Sequence, residues 1–231
     1  MWSLLLVFVV SFFVALQEMN VACDVRGGCK EYLMRYKPQS WREPSLFFRF
    51  IKRMTDVIVS VLVCVTILPL LYVVLGIIIK FTSEGPIIFK QKRIGLLGDE
   101  FICYKFRSMY LNSDNITITR NDKHVTPIGR FMRKIHLDEF PQFVNVLKGD
   151  MSLVGPRPLA QYVLKEFEHV PEYYWRLLSR PGITGIAQVN SGRTLSAEEV
   201  IRFDMQYLSA PSYWFDWYII GRTLCFADDS F

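Results

Sequence analysis

Two adjacent carboxylates, Asp138 and Glu139, lie in the run Leu137-Asp138-Glu139-Phe140-Pro141-Gln142, with Arg130, Arg133 and Lys134 just ahead of them. The apolar positions Phe140, Phe143, Val144 and Leu147 recur at helical spacing, so the sequence predicts a helix over 137–147. Pro141 suits its first turn, where a missing N–H costs nothing. Free backbone N–H groups at such a terminus favour anions and would keep Asp138 ionised. An ionised carboxylate beside Arg133 is a plausible nucleophile towards phosphorus. The local sequence fits a simpler reading too, with Asp138 as an N-cap and Glu139 as a first-turn acid.

The segments around the pair are rich in fixed cations. Gly155-Pro156-Arg157-Pro158 stiffens the backbone around one arginine, and a rigid guanidinium can grip phosphate bidentately. Arg180-Pro181-Gly182 and Gly185 to Gln188 repeat the idea, and Gly192-Arg193 adds another arginine. Gly149 suits a helix C-cap. Pro86 to Arg93 and Glu100 to Arg107 are β-prone, and Gly95 and Gly98-Asp99 between them predict a hairpin. Its Lys90, Lys92, Arg93, Lys105 and Arg107 form either a solvated basic edge or a phosphate-binding face. No Gly-x-Gly-x-x-Gly or Walker loop occurs, which excludes those nucleotide-binding routes.

Something must hold this chemistry at a membrane. Met54 to Ile79 is a 26-residue apolar run with one charge, Asp56, near its start. It is long enough to span a bilayer, but Pro69 lies inside it and predicts a kink. Between Glu18 and Arg53 stand eight Lys/Arg against four Asp/Glu, and between Lys80 and Lys134 stand eleven Lys/Arg. Both flanks therefore favour the cytoplasm, which a straight span cannot satisfy. A helix broken at Pro69 that enters and leaves on one side can. Trp2 to Leu16 is a second, shorter apolar run, read as an anchor or a surface-lying helix. Near the C-terminus, Tyr173, Tyr174, Trp175, Tyr207, Tyr213, Trp214, Trp217 and Tyr218 suit either a membrane–water interface or an ordinary core.

Composition agrees. The 231 residues are 51% hydrophobic and carry a net charge of +5, fitting anionic headgroups or phosphorylated substrates. No nucleic-acid-binding motif occurs. The five scattered cysteines, with three histidines and no Cys-x-x-Cys, speak against zinc and for reduced thiols. The expected fold is α+β and mostly helical, a monotopic membrane protein with a Pro-broken re-entrant helix, a small β-hairpin and interfacial amphipathic helices. The expected parts are an anchor and basic linker (1–51), the re-entrant helix (52–80) and a cytoplasmic catalytic domain (81–231).

Taken together, these residues resemble the bacterial sugar transferase family, the monotopic polyprenyl-phosphate phosphoglycosyl transferases. The resemblance runs from about Lys52 to Leu224. It rests on Lys52-Arg53 with Asp56, Gly85-Pro86 with Phe89, Gln91, Arg93 and Gly95, and Tyr104 to Met109. It continues through Leu137-Asp138-Glu139 with Pro141-Gln142, Asn145 to Pro158, and Arg180 to Gly185. The resemblance implies transfer of a sugar 1-phosphate from a UDP-sugar to polyprenyl phosphate, with UMP leaving. It implies Asp138 as nucleophile and Mg²⁺ ligand, and Glu139 as helper of the second substrate. Lys105, Arg107, Arg133, Arg157, Arg180, Gly182, Gln188, Arg193 and Asp204 become the implied substrate-binding positions. The implied setting is the cytoplasmic face of the bacterial inner membrane, in the first membrane step of polysaccharide assembly, with a homodimer as one option. The chain departs from the family pattern at Leu68, Ile186 and Ser191-Gly192-Arg193-Thr194, which leaves the sugar unnamed. A non-catalytic scaffold and a UDP-releasing glycosyltransferase are the competing readings.

Overall fold

The computed structural model describes residues 41, 43–110, 123–160, 171–190 and 195–225. The apolar run Trp2 to Leu16 and Arg193 lie outside the described residues. Helix α1 (Leu46–Thr82) dominates the N-terminal side. The Ser45 side chain caps it by accepting from the Phe48 N–H at 3.2 Å. Its apolar composition and 37-residue length are sufficient to cross a membrane. Pro69 is inside the helix, which continues through it.

Burial along α1 is uneven. Arg53, Asp56, Val57 and Ser60 are buried near its start, and Leu75, Gly76 and Ile79 near its end. No residue from 61 to 74 is buried. This middle stretch presents Leu62, Val65, Ile67, Leu70, Val73 and Val74 to the surroundings, with Pro69 among them. Both ends pack on the same body. Val59 joins a core of Leu153, Val154, Ile186, Tyr207 and Ile219. Leu75 and Ile79 join Phe106 and Met132.

The expected hairpin forms. Strands β1 (Ile88–Ile94) and β2 (Glu100–Phe106) pair antiparallel, from Ile88 opposite Phe106 to Ile94 opposite Glu100. Helix α2 (Pro127–Lys134) follows, with Thr126 capping it through Gly129 N–H at 2.9 Å. Helix α3 (Gln142–Lys148) ends at Gly149, whose left-handed φ of 88° matches its expected C-cap role.

One expectation fails locally. The helix predicted over 137–147 is two pieces: Leu137–Glu139 is a 3₁₀ turn and α3 begins only at Gln142. His136 enters the turn at a left-handed φ of 56°, and Phe140 N–H bonds Leu137 O at 3.3 Å. Pro141 has no N–H to offer the Leu137 carbonyl, so a tighter i→i+3 bond closes there instead. Asp138 is therefore not at the N-terminus of an α-helix, and the helix-dipole argument for its ionisation falls.

Beyond α3 comes a short parallel pair, β3 (Ser152–Val154) with β4 (Gly182–Thr184). A one-turn helix (Ile186–Val189) and helices α4 (Ala197–Ser209) and α5 (Tyr213–Cys225) complete the body. The aromatic residues divide between the two readings. Tyr173 and Tyr207 are core, whereas Trp214, Trp217 and Tyr218 on α5 are exposed.

Candidate active site

The dyad is buried, Asp138 at 7% and Glu139 at 9% exposure. Two cations hold Glu139: Lys105 Nζ at 2.6 Å and Arg157 NH2 at 3.2 Å, both on Oε1. Burial alone would raise its pKa, but these charges outweigh that and hold it well below the usual carboxylate range. Asp138 differs. Its charged neighbours are Lys105, Glu139, Arg133 and Arg157, and among the described residues none makes a hydrogen bond or ion pair to its carboxylate. Burial dominates and raises its pKa, reversing the sequence-based expectation of an Asp kept ionised by helix N–H groups.

Long-range contacts set this geometry. Asn145 on α3 is fully buried and accepts from the Tyr104 N–H at 3.0 Å. It donates to Ile102 O at 2.6 Å, so α3 and β2 are fixed side by side. That places Lys105 of β2 against Glu139. The strand's alternation sorts the basic residues of the hairpin: Lys90 and Lys92 are solvated, while Lys105 and Arg107 turn inward. Arg133 donates from Nε to Ser108 Oγ at 2.9 Å.

The structure therefore gathers Asp138, Glu139, Lys105, Arg133 and Arg157. The remaining expected positions that the structure describes sit elsewhere in the same body, and Arg193 lies outside the described residues. Arg107 donates to Ser83 O at 2.6 Å and Ser83 Oγ at 2.9 Å, at the end of α1. Arg180 Nε holds Gly149 O at 2.7 Å, and Gln188 Nε2 holds Ile183 O at 3.0 Å. Asp204 is buried against Arg176, 3.0 Å away.

Gly182 is a point of backbone approach. Its N–H bonds Pro156 O at 2.9 Å, and a Cβ there would drive into Gly155 N and the Thr184 carbonyl. Gly182→Ala is expected to pry β4 from the loop that carries Arg157, at a cost of about 3 kcal/mol. A thermal melt in detergent checks this, and an unchanged Tm would count against it.

Residues that carried the resemblance or went unmarked, but were not counted among the site positions, support it. Lys52 Nζ reaches Asp216 Oδ2 at 2.7 Å and Val154 O at 3.1 Å. Arg53 donates to Val146 O at 2.7 Å, and Asp56 accepts from the Leu153 N–H at 3.1 Å. Three charges at the start of an apolar helix were the available signal. Asp216, Tyr207 and Arg176 carry no comparable local mark.

Comparison with known proteins bears on this arrangement. The family model described as bacterial sugar transferase matches residues 47–227. A UDP-N-acetylgalactosamine-undecaprenyl-phosphate N-acetylgalactosaminephosphotransferase of Aeromonas hydrophila is 39% identical over 188 residues, covering 78% of this chain and 44% of that protein. A UDP-glucose:undecaprenyl-phosphate glucose-1-phosphate transferase of Klebsiella pneumoniae is 43% identical over 182 residues, covering 75% and 39%. The exopolysaccharide production protein ExoY of Sinorhizobium fredii is 35% identical over 191 residues, covering 75% and 83%. The chain spans less than half the length of the first two relatives and most of the third. It belongs to the bacterial sugar transferase family.

Proposed function

We propose that this chain is a phosphoglycosyl transferase that moves a sugar 1-phosphate from a UDP-sugar to polyprenyl (undecaprenyl) phosphate and releases UMP. The observation that carries the reading is the unequal dyad. Glu139 is locked by Lys105 and Arg157, while the Asp138 carboxylate, near the same cations, has no hydrogen bond or ion pair among the described residues. An Asp138 oxygen attacks the β-phosphorus, the bond to UMP breaks, and UMP leaves with the electron pair. An oxygen of the polyprenyl phosphate then attacks the phosphosugar and frees Asp138. Lys105, Arg133 and Arg157 stabilise the charge that builds on the phosphoryl oxygens. Glu139, with its depressed pKa, is a weak proton acceptor here; it serves by holding Lys105 and Arg157 at the reacting centre.

Mg²⁺ fits this site in one form only. Among the described residues no three His, Cys, Asp or Glu gather to hold a metal. Mg²⁺ commonly takes one or two carboxylates plus substrate phosphates, and the open Asp138 carboxylate supplies the first. Its chemistry there would be neutralisation of the diphosphate.

Two features support a re-entrant seat on the cytoplasmic face of the membrane. Arg53 and Ile79 would be separated by about 39 Å along a straight helix. Yet both ends of α1 are buried on one body, and the exposed apolar stretch around Pro69 lies between them. Single cysteines at Ser45 and Lys80 are expected to react with an impermeant maleimide from the same side; reaction from opposite sides would overturn this topology.

A screen of UDP-sugars with Mg²⁺ and undecaprenyl phosphate tests the activity. UMP is the expected product. UDP would indicate a sugar-only transferase, and no release from any donor would favour a scaffold. The raised pKa of Asp138 adds a pH signature. The nucleophile must be ionised, so activity rises with pH along an acid limb and is lost as pH falls through the folded pKa. That limb is expected above the ordinary carboxylate value of about 4. Single-turnover UMP release across pH checks it, and a limb at or below the ordinary value would contradict the buried nucleophile.

A further inference from the structure

Arg157 presents a puzzle. Its side chain is half exposed, yet its guanidinium must meet Glu139 accurately. The backbone around it supplies the constraint. Pro156 O accepts from the Gly182 N–H at 2.9 Å, Pro158 O from Arg93 NH1 at 3.1 Å, and Leu159 O from the Ile94 N–H at 2.8 Å. The carbonyl of Arg157 itself accepts from Arg176 NH2 at 3.2 Å. Four consecutive carbonyls are thus anchored, and that of Arg157 is held by an arginine in a buried ion pair.

That pair is deeply placed. Arg176 is 5% and Asp204 2% exposed, with NH2 and Oδ2 3.0 Å apart. Burying two charges is costly, and apolar replacement of such a pair is often neutral or stabilising. Stability alone is therefore a poor reason for its presence. Arg176 NH2, paired by charge with Asp204 Oδ2 though not hydrogen-bonded to it, donates its hydrogen bond to the Arg157 carbonyl, and this offers a reason for the pair.

We propose that Arg176, oriented by Asp204, is a positioning residue that fixes the Arg157 peptide so that its guanidinium engages Glu139. This rests on the phosphoglycosyl transferase reading for its catalytic consequence, but not for its geometry. It gives Asp204 an indirect task in place of substrate contact.

The test pairs Arg176→Met with Asp204→Asn, so that no lone charge is left buried. In the full chain, in detergent, this double variant is expected to lose about tenfold in kcat/KM for UMP release. In an Arg157→Ala background the same double change should cost less than about twofold, because its route of action is already gone. Equal losses in both backgrounds would overturn the proposal, since a general structural defect adds independently. Hydrogen–deuterium exchange provides a readout free of activity. Peptides covering 154–160 should exchange faster in the double variant while α1 peptides stay unchanged; unchanged exchange at 154–160 would overturn the proposal. If the parent enzyme releases no UMP from any UDP-sugar, the functional reading fails, and the exchange result alone decides the positioning. If the double variant does not fold, Arg176→Lys replaces it. Its shorter reach is expected to keep Asp204 and release the Arg157 carbonyl, with the same exchange outcome.

Discussion

If the proposed transfer is right, Asp138→Asn is expected to release UMP on the order of 10⁴-fold more slowly than the parent chain, and to form no phosphosugar adduct. Asparagine keeps the shape of the residue and removes the nucleophilic charge. The same substitution is expected not to lower Tm. Burial raises the Asp138 pKa, so the fold prefers the protonated form. For an acid shifted this way, the ionised group at neutral pH costs stability, and the cost disappears as pH falls below the unfolded value. An uncharged amide relieves that cost at neutral pH. Intact-mass measurement after mixing with a UDP-sugar tests the adduct, and a melt tests the stability. A variant retaining activity within about tenfold would remove the covalent route; a sharp loss of Tm would instead say that the carboxylate is structural.

Asp216→Ala is expected to destabilise the protein by about 3–5 kcal/mol, the second large effect. Asp216 and Lys52 meet at 2.7 Å with side chains 8% and 16% exposed. The Tyr207 hydroxyl lies 2.9 Å from Asp216 Oδ1 and 3.2 Å from Val154 O. Removing the carboxylate leaves the buried Lys52 ammonium without its ion-pair partner, held by the Val154 carbonyl and the Tyr207 hydroxyl, with Asp56 as the remaining nearby acid. Replacing both partners, as Lys52→Met with Asp216→Leu, is expected to cost far less, because no charge is then stranded. Denaturant melts of the two variants in one detergent decide the matter. A single variant costing under about 1 kcal/mol would mean that water or lipid solvates Lys52 after all.

The hairpin, the long apolar helix and the dyad were legible because each has a local mark. Gly95 and Gly98-Asp99 announce a turn, a long apolar run with a single charge announces α1, and adjacent acids among arginines mark the pair that the fold surrounds with cations. The split at Pro141 was misread because helical apolar spacing continues across it: Phe140 and Phe143 pack as neighbours, with ring centroids 5.8 Å apart, although the helix starts only at Gln142. The parallel pair β3–β4 was not legible. Each strand has three residues, too few for a period-two pattern, and the partners stand about thirty residues apart. Arg176 with Asp204, and Lys52 with Asp216, were hidden for a related reason. A charge pair between distant segments leaves no spacing in the sequence, so only folding reveals which acid answers which base.

Arg53, Lys52 and Asp56 grip the carbonyls of Val146 and Val154 and the N–H of Leu153. The long apolar helix α1 is thereby stitched into the peptide that leads to Gly155 and Arg157. A boundary drawn after Thr82 would tear out those stitches, so truncation there is expected to unsettle the body that carries the dyad. Any functional graft between relatives of different length must begin upstream of Lys52. What looks like a removable anchor is, by its contacts, part of the body that holds Asp138 and Glu139, so the smallest unit that can be moved includes the apolar helix.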